Sequence, residues 1–531
     1  MNRSIGLVGL TFVAVSGVIG SGWLFAPLLT SQLAGPASLI AWIIGGVAVL
    51  FLALCFAEVS GTLPVAGGIA RIPHFTHGDI TSMALGWTAW VGYNTQAPIE
   101  TIAMLKYAEA DFPWLFTGAG GAAPLSLAGM AVTVGILVFF VIINALGAKA
   151  LARTNGVITW FKLIIPIVLG TALITAHFDV DNFVAAGFAP DGIHGIFAAV
   201  SGGGIIFAFL GFRHAIDLAG EARNPQTTVP VALVLSLLIC LVIYLLLQTA
   251  FIGALQPGHL AGGWKAVSFD HGLGPLAGVA LALGIAWVTT TLYVGAIVGP
   301  LGGGLVATGS NARLGFALSQ NRFFPETFLI LSKRGIPVRV LLMNLAIGAI
   351  LVFFIPFNEV VSLNGAAITF SFCAGPIAVY ALRRQLAHRP RRFRLPAVGV
   401  IANAGFLVAT LIVYWSGWHT TWRLGLAIIV GAAVFAFAKL REGPARKALD
   451  VRGALWLVPY ITGLGLLSYF GDFSGGRGVI PLGWDVAAAA MLSVSVFYMA
   501  SWCRLPGERT VAYVNEYGQQ PGDAPDDDTP I

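Results

Sequence analysis

The chain has 531 residues, of which 57% are hydrophobic and only 10% charged; its mean hydropathy is +0.86. A soluble chain carries about a quarter charged residues, so this composition excludes a water-covered globular surface and selects a bilayer as solvent. The net charge of +6 does not indicate nucleic acid, because the basic residues are spread over many loops and build no single patch.

Fourteen apolar segments of spanning length follow one another, at about 5–33, 36–62, 81–108, 123–146, 152–176, 193–219, 228–254, 275–308, 336–355, 359–384, 396–416, 421–439, 453–470 and 480–503. Each approaches or exceeds the roughly 20 apolar residues that a membrane helix needs. The first lacks a small-residue cleavage site, and many spans follow, so it is read as a span and not a signal peptide. The stretch "PVAGGIARIPHFTHGD" between spans 2 and 3 is too polar to cross and is placed at the interface, with His74 and His77. Cys55, Cys240, Cys373 and Cys503 are scattered in or beside apolar runs, which indicates neither a disulfide framework nor a zinc site.

With the N-terminus inside and the spans alternating, 23 of the 29 Lys and Arg residues fall in inner loops. Outer loops hold Lys106, Lys265, Arg423 and Arg477, and the remaining two, Lys162 and Arg213, lie within spans. This asymmetry predicts both termini in the cytoplasm. The basic cluster "RRQLAHRPRRFR", Arg383 to Arg394, is suited to contact with anionic lipid. The ending "GQQPGDAPDDDTPI" is acidic and turn-rich, and 504–531 is expected to be a disordered cytoplasmic tail.

Two spans interrupt themselves with glycine. Span 1 contains "SGVIGSGWLF" and span 6 contains "SGGGIIFAFLGFRHAIDLAGEARNP". Glycine costs about 1 kcal/mol per helix position relative to alanine. Taken alone, the first stretch also fits close helix packing. Interrupted segments at matching places in two five-span halves instead point to a transporter site at the membrane midplane. Five is odd, so the second half is inverted relative to the first. This divides the chain into 1–176, 191–384, accessory spans in 395–503, and the tail. Unwound helix ends offer N–H groups to a carboxylate and C=O groups to an ammonium. Gly20, Ser21 and Gly22 are therefore candidates for the carboxylate of an amino acid. The carbonyls of Val18, Ile19, Phe207, Ala208 and Leu210 are candidates for its ammonium, with Gly211 at the second break and Phe207 and Phe209 able to close over the substrate. The reading requires space between the two interruptions.

The stretches "GVIGSGWLFAP", "FAEVSGTLPVAGGIARIPHFTHGD", "FAFLGFRHAIDLAGEARNPQTTVPVAL" and "GSNARLGFALSQNRFFPETF" resemble the amino acid–polyamine–organocation superfamily of permeases. The resemblance covers the first ten spans in order. It implies an all-α integral membrane protein of the LeuT-type 5+5 inverted-repeat fold, with helices 1 and 6 broken and, here, four extra C-terminal spans. The fourteen-span length and "SYFGDFSGGRGVIPLGWD" are most similar to bacterial aspartate:proton symporters. This chain departs from them in span 8, with Gly295 and Gly299 where those relatives carry an Asp and a Ser-Pro pair.

An ionisable residue within a span is a functional candidate by default. Lys162 lies about nine residues into span 5, near half the depth of a ~30 Å core. Desolvation disfavours a charged amine, so Lys162 is the candidate proton-coupling group; the resemblance implies that such a lysine takes the space of a sodium ion. Snorkelling or a permanent carboxylate partner is the alternative. Arg213 follows the second break, where arginine-importing relatives carry a glutamate. An arginine grips carboxylates with paired hydrogen bonds, which favours an acidic substrate side chain; an internal pair with Asp217 or Glu100 is the alternative. Glu58 and Glu221 are expected to hold an inner gate through the basic loops. Glu100 is expected to balance Arg213 or bind a proton, Asn94 and Gln96 to line the cavity, and His214 to be a satisfied helical histidine or a pH switch.

The reading is a proton-driven amino acid symporter, with an exchanger, a neutral amino acid permease or a non-transporting sensor as alternatives. Its partners are the amino acid, the proton and lipid. No cofactor or metal is expected: metal-ligand spacings and nucleophile motifs are absent, and "GSGW" lacks the GK[ST] ending of a phosphate loop.

Overall fold

The computed structural model describes residues 5–109, 111–118, 123–269, 274–355, 357–441 and 449–517. Lipid offers the backbone no hydrogen bonds, so a spanning chain must satisfy its own, as helices do. The apolar runs accordingly wind into α1 (Leu7–Val18), α2 (Gly22–Ala34), α3 (Ser38–Thr62), α4 (Gly68–His77), α5 (Asp79–Tyr107), α6 (Leu127–Ala145) and α7 (Ala148–Ala176). Three short pieces follow, α8 (Gly192–Ser201), α9 (Ile205–Phe209) and α10 (Arg213–Asp217). Then come α11 (Pro225–Gly253), α12 (Pro257–Leu260), α13 (Pro275–Ala282), α14 (Ala286–Gln320), α15 (Val338–Phe354), α16 (Phe357–Ser371) and α17 (Ala374–Gln385). The C-terminal part holds α18 (Val398–Trp415), α19 (Trp418–Arg441), α20 (Val451–Ala454), α21 (Leu457–Phe470), α22 (Trp484–Cys503) and α23 (Gly507–Tyr517).

Every one of the fourteen predicted segments falls on helix, and eleven apolar runs are long enough to cross a membrane. The difference of three has identifiable causes. Residues 22–62 form one continuous apolar run that contains α2 and α3. The helix α15 has only 17 residues. The helix α5 carries Asn94, Gln96 and Glu100, all buried, which lower its hydropathy. The predicted span at 275–308 is also revised: the chain breaks between α13 and α14, and α14 continues to Gln320, with its last two turns buried among neighbouring helices.

The polar stretch after span 2 forms α4, whose residues are all buried, His74 and His77 included. The main-chain carbonyl of Thr76 accepts from Leu505 N–H and from Gln385 Nε2, both at 2.9 Å, and His77 Nε2 meets the carbonyl of Ala500 at 3.1 Å. One further expectation changes: the tail is not disordered from residue 504. Gly507–Tyr517 forms α23, docked on α4, where the Tyr513 ring lies 4.7 Å from that of His74. Residues 518–531 lie outside the described residues.

The end of the bundle that holds Ile5 is tied shut. Ile5 N–H donates to the Glu221 carbonyl at 3.0 Å, and Arg223 N–H to the Ile5 carbonyl at 2.9 Å. Glu221 Oε1 and Oε2 receive Arg313 Nε at 2.5 Å and Nη2 at 3.2 Å. Glu58 receives Arg383 Nε at 2.5 Å and Nη2 at 2.7 Å, and Leu395 N–H at 2.7 Å, with Arg391 Nε at 3.3 Å. Glu58 takes its partners from the basic 383–394 stretch, whereas Glu221 takes an arginine within α14.

Candidate functional site

The first interruption lies where the glycines put it. After Val18 the Gly20 N–H turns back to the Val18 carbonyl at 3.0 Å. In a continuous helix that N–H would bond the carbonyl of Ser16. The Ser16 carbonyl is therefore released, and Lys162 Nζ donates to it at 2.5 Å from the facing α7. Lys162 thus meets a loosened carbonyl of span 1. At the other side of the gap, α2 starts at Gly22 with its first N–H groups unpaired within the helix.

The second interruption occupies only one of the two glycine sites in span 6. Unwinding occurs at Gly202, Gly203 and Gly204, the last at φ +89°, a left-handed conformation open to glycine. Around Gly211 the chain tightens into a 3₁₀ turn, 210–212, instead of opening. The reason is packing: Gly211 lies on Gly17, and a methyl group at Gly211 would collide with the Gly17 backbone. The 210–212 turn faces the end of α1, and the space expected there is absent at Gly17 and Gly211, while Gly203 and Gly204 lie against Thr30 and Ala26 of α2.

The groups assigned to a zwitterion are engaged by the protein itself. Ser21 N–H donates to Glu100 Oε2 at 2.8 Å, and Gly20 lies against the same carboxylate. The Tyr244 hydroxyl, from α11, is shared between the carbonyls of Val18 at 2.8 Å and Ala208 at 3.1 Å. The carbonyl of Phe207 receives Leu210 N–H, and that of Leu210 receives Arg213 Nη1 at 3.0 Å. Half-buried Phe207 lies beside Gly22. Phe209 is not poised to close; it is packed with Trp42 and Tyr244 at ring distances of 5.8 and 5.3 Å.

Arg213 is fully buried yet makes no ion pair among the described residues. Its Nη2 donates to Gln96 Oε1, its guanidinium stacks on Tyr93 with Cζ 4.4 Å from the ring centre, and its Nε has no partner. Neither internal pair considered for it forms. Asp217 instead accepts the Tyr93 hydroxyl at 2.7 Å, and Glu100 caps α2. The Nδ1 of His214 is bonded to Ser310 Oγ at 2.8 Å. Behind the site, the glycines of α14 allow close approach. A methyl at Gly302 would sit 2.9 Å from Lys162 Nζ, one at Gly303 would sit 3.2 Å from Glu100 Oε1, and one at Gly299 would sit 3.0 Å from the Gly20 carbonyl. Among the described residues no cluster of three metal-ligating side chains occurs.

Sequence reasoning missed Tyr244 and Gln248. Gln248 accepts from Thr30 Oγ1 at 2.8 Å and Trp42 Nε1 at 2.9 Å, and donates to the Pro27 carbonyl at 3.2 Å and Ser31 Oγ at 2.8 Å. It thereby fixes α2 beyond the break. The signal was present: Ser236, Cys240, Tyr244 and Gln248 recur every fourth residue in an otherwise apolar helix, which puts them on one face.

The sequence model described as amino acid permease matches residues 5–435. The chain belongs to the amino acid permease family. The permease is similar to the glutamate/serine transporter AimA of Bacillus subtilis, 34% identical over 96% of this chain and 95% of the relative. It is similar also to the aspartate-proton symporter of the same organism, 32% identical over 95% and 97%. The branched-chain amino acid permease BcaP of that organism is 25% identical over 82% and 92%. The family accounts for the all-α membrane architecture of this permease.

Proposed function

We propose that this permease carries an acidic amino acid, aspartate or glutamate, across the cytoplasmic membrane together with a proton. The observation that carries the reading is Arg213, a buried guanidinium with an unpartnered Nε whose other bonds go to neutral acceptors. No carboxylate of the described residues lies within ion-pair distance of it, burying a charge without a direct partner is costly, and a substrate carboxylate is a group that would supply that partner. The names of two relatives, a glutamate/serine transporter and an aspartate-proton symporter, support the same substrate class. Lys162, held on a carbonyl that the break in α1 sets free, is the proton-coupling group.

Residues 1–176 and 191–384 act as two inverted halves, 395–503 as accessory spans, and both termini face the cytoplasm. The ties through Glu58 and Glu221 then close the inner side, and alternating access requires them to open. The test is uptake of labelled aspartate and glutamate into proteoliposomes with an imposed pH gradient. Accumulation that collapses with the gradient supports symport. Accumulation driven instead by internal amino acid supports exchange. Serine is the competitor to include, since one relative is named for it.

A further inference from the structure

At both interrupted helices the polar main chain is satisfied by groups of the protein with the chemistry of an amino acid's two poles. A carboxylate, Glu100, receives the Ser21 N–H at the start of α2 at 2.8 Å. A hydroxyl donor, Tyr244, serves the carbonyl of Val18 at the first break and that of Ala208 in α9, at 2.8 and 3.1 Å. Both side chains are buried, and neither is in a helix that is itself interrupted. Helix ends in an apolar medium cannot remain unsatisfied, and these two side chains satisfy them.

We propose that Glu100 and Tyr244 are internal stand-ins for the α-carboxylate and α-ammonium of the substrate, and that binding displaces them. This rests on the reading of the site as an amino acid site. It gives the two residues a defined role: they set affinity by competition and hold the empty site closed. Substrate must replace a charge-assisted bond at Ser21 with one of the same kind, so the gain on binding is reduced by what Glu100 already supplies. A carboxamide at position 100 accepts the same N–H more weakly, since bonds to an ionised acceptor are roughly twice as strong as neutral ones. Competition then eases, and affinity rises. A structural or direct substrate-binding role predicts the reverse.

The experiment measures equilibrium binding of labelled L-glutamate and L-aspartate to the full-length permease in lipid nanodiscs. Glu100→Gln is expected to lower Kd about fivefold. Glu100→Asp, which keeps the charge but retracts the carboxylate by one methylene, should also tighten binding. Tyr244→Phe, which leaves both carbonyls open to an ammonium, should tighten it two- to fivefold. The gain from Glu100→Gln must be confined to ligands with a free α-carboxylate; the α-amide of glutamate should show none. Unchanged or weaker binding in both position-100 variants, with wild-type thermal stability, overturns the proposal, as does an equal gain for the α-amide. If the wild-type permease binds neither acidic amino acid, the functional reading itself fails and takes the proposal with it.

Discussion

Arg213→Gln tests the substrate assignment most directly. In the free protein the guanidinium spends Nη1 on the Leu210 carbonyl and Nη2 on Gln96, and leaves Nε unused. A side-chain carboxylate arriving at this edge gains one new charge-assisted bond through Nε and replaces the neutral Gln96 at Nη2. Bonds to charged groups contribute about 1.5–3 kcal/mol each. Allowing for desolvation of the incoming carboxylate, the net difference is about 2 kcal/mol, or roughly 30-fold in Kd. Serine has no side-chain carboxylate, so its binding should change less than threefold. The assay is competition by unlabelled glutamate, aspartate and serine against labelled glutamate in wild-type proteoliposomes, and against labelled serine in the variant. Arg213→Lys should fall between the two, because it keeps the charge without the planar fork. Equal loss for acidic and neutral substrates in both variants would remove Arg213 from the substrate's side-chain pocket.

Lys162→Ala should abolish accumulation driven by a pH gradient while retaining ligand binding and exchange; normal accumulation would reject its coupling role. Glu58→Ala leaves the Arg383 guanidinium and Leu395 N–H without their carboxylate, which should destabilise the protein by about 3–5 kcal/mol, read as a fall in thermal-shift midpoint larger than that of Glu58→Gln. Gly211→Ala forces a methyl into the Gly17 backbone and should abolish transport, whereas Gly156→Ala, with open space around it, should be neutral. The docking of α23 should weaken in acid. Burial on α4, outside the spans, holds the His74 pKa below its ordinary 6.5 despite the Asp79 carboxylate 3.1 Å away. The docked state therefore favours neutral imidazole, so docking is complete above pH 6.5 and declines as pH falls below it. Burial also raises the Asp450 pKa above its ordinary 3.8, an opposing effect that belongs to more acid pH. The protection of residues 507–517 against hydrogen exchange, taken relative to the intrinsic rate at each pH, should fall between pH 7.5 and 5.5, and His74→Asn should remove that dependence.

What was legible in the sequence was whatever the membrane makes expensive. Interrupting glycines, a lysine at mid-depth and acidic residues beside basic loops each violate the apolar rule. The glycines mark the break after Val18, and the polar residues singled out, Lys162 and Glu58, are ones that the structure buries and bonds, to the Ser16 carbonyl and to Arg383. Illegible were the partners supplied by distant helices. Nothing local in "APIETIAM" directs Glu100 to Ser21, 79 residues away; that pairing exists only once α5 packs beside the first break. The helix α23 was missed for another reason. Its polar composition hid a periodic face, Thr510, Tyr513 and Val514, all buried against the rest of the protein.

The same constraint explains why the site is closed on itself. An unwound segment in water can stay open, because water satisfies its N–H and C=O groups. In a bilayer each such group left bare costs several kcal/mol. A chain that keeps main-chain atoms free for a zwitterion must therefore supply substitutes for the intervals without one, and they must be weak enough to yield. Glu100 on Ser21, Tyr244 on Val18 and Ala208, and Lys162 on Ser16 satisfy the first requirement. Each arrives on a side chain from an unbroken helix, so its release does not require its own backbone to refold. Gly302 and Gly303, which pack against Lys162 and Glu100, leave α14 without side chains of its own to obstruct that movement.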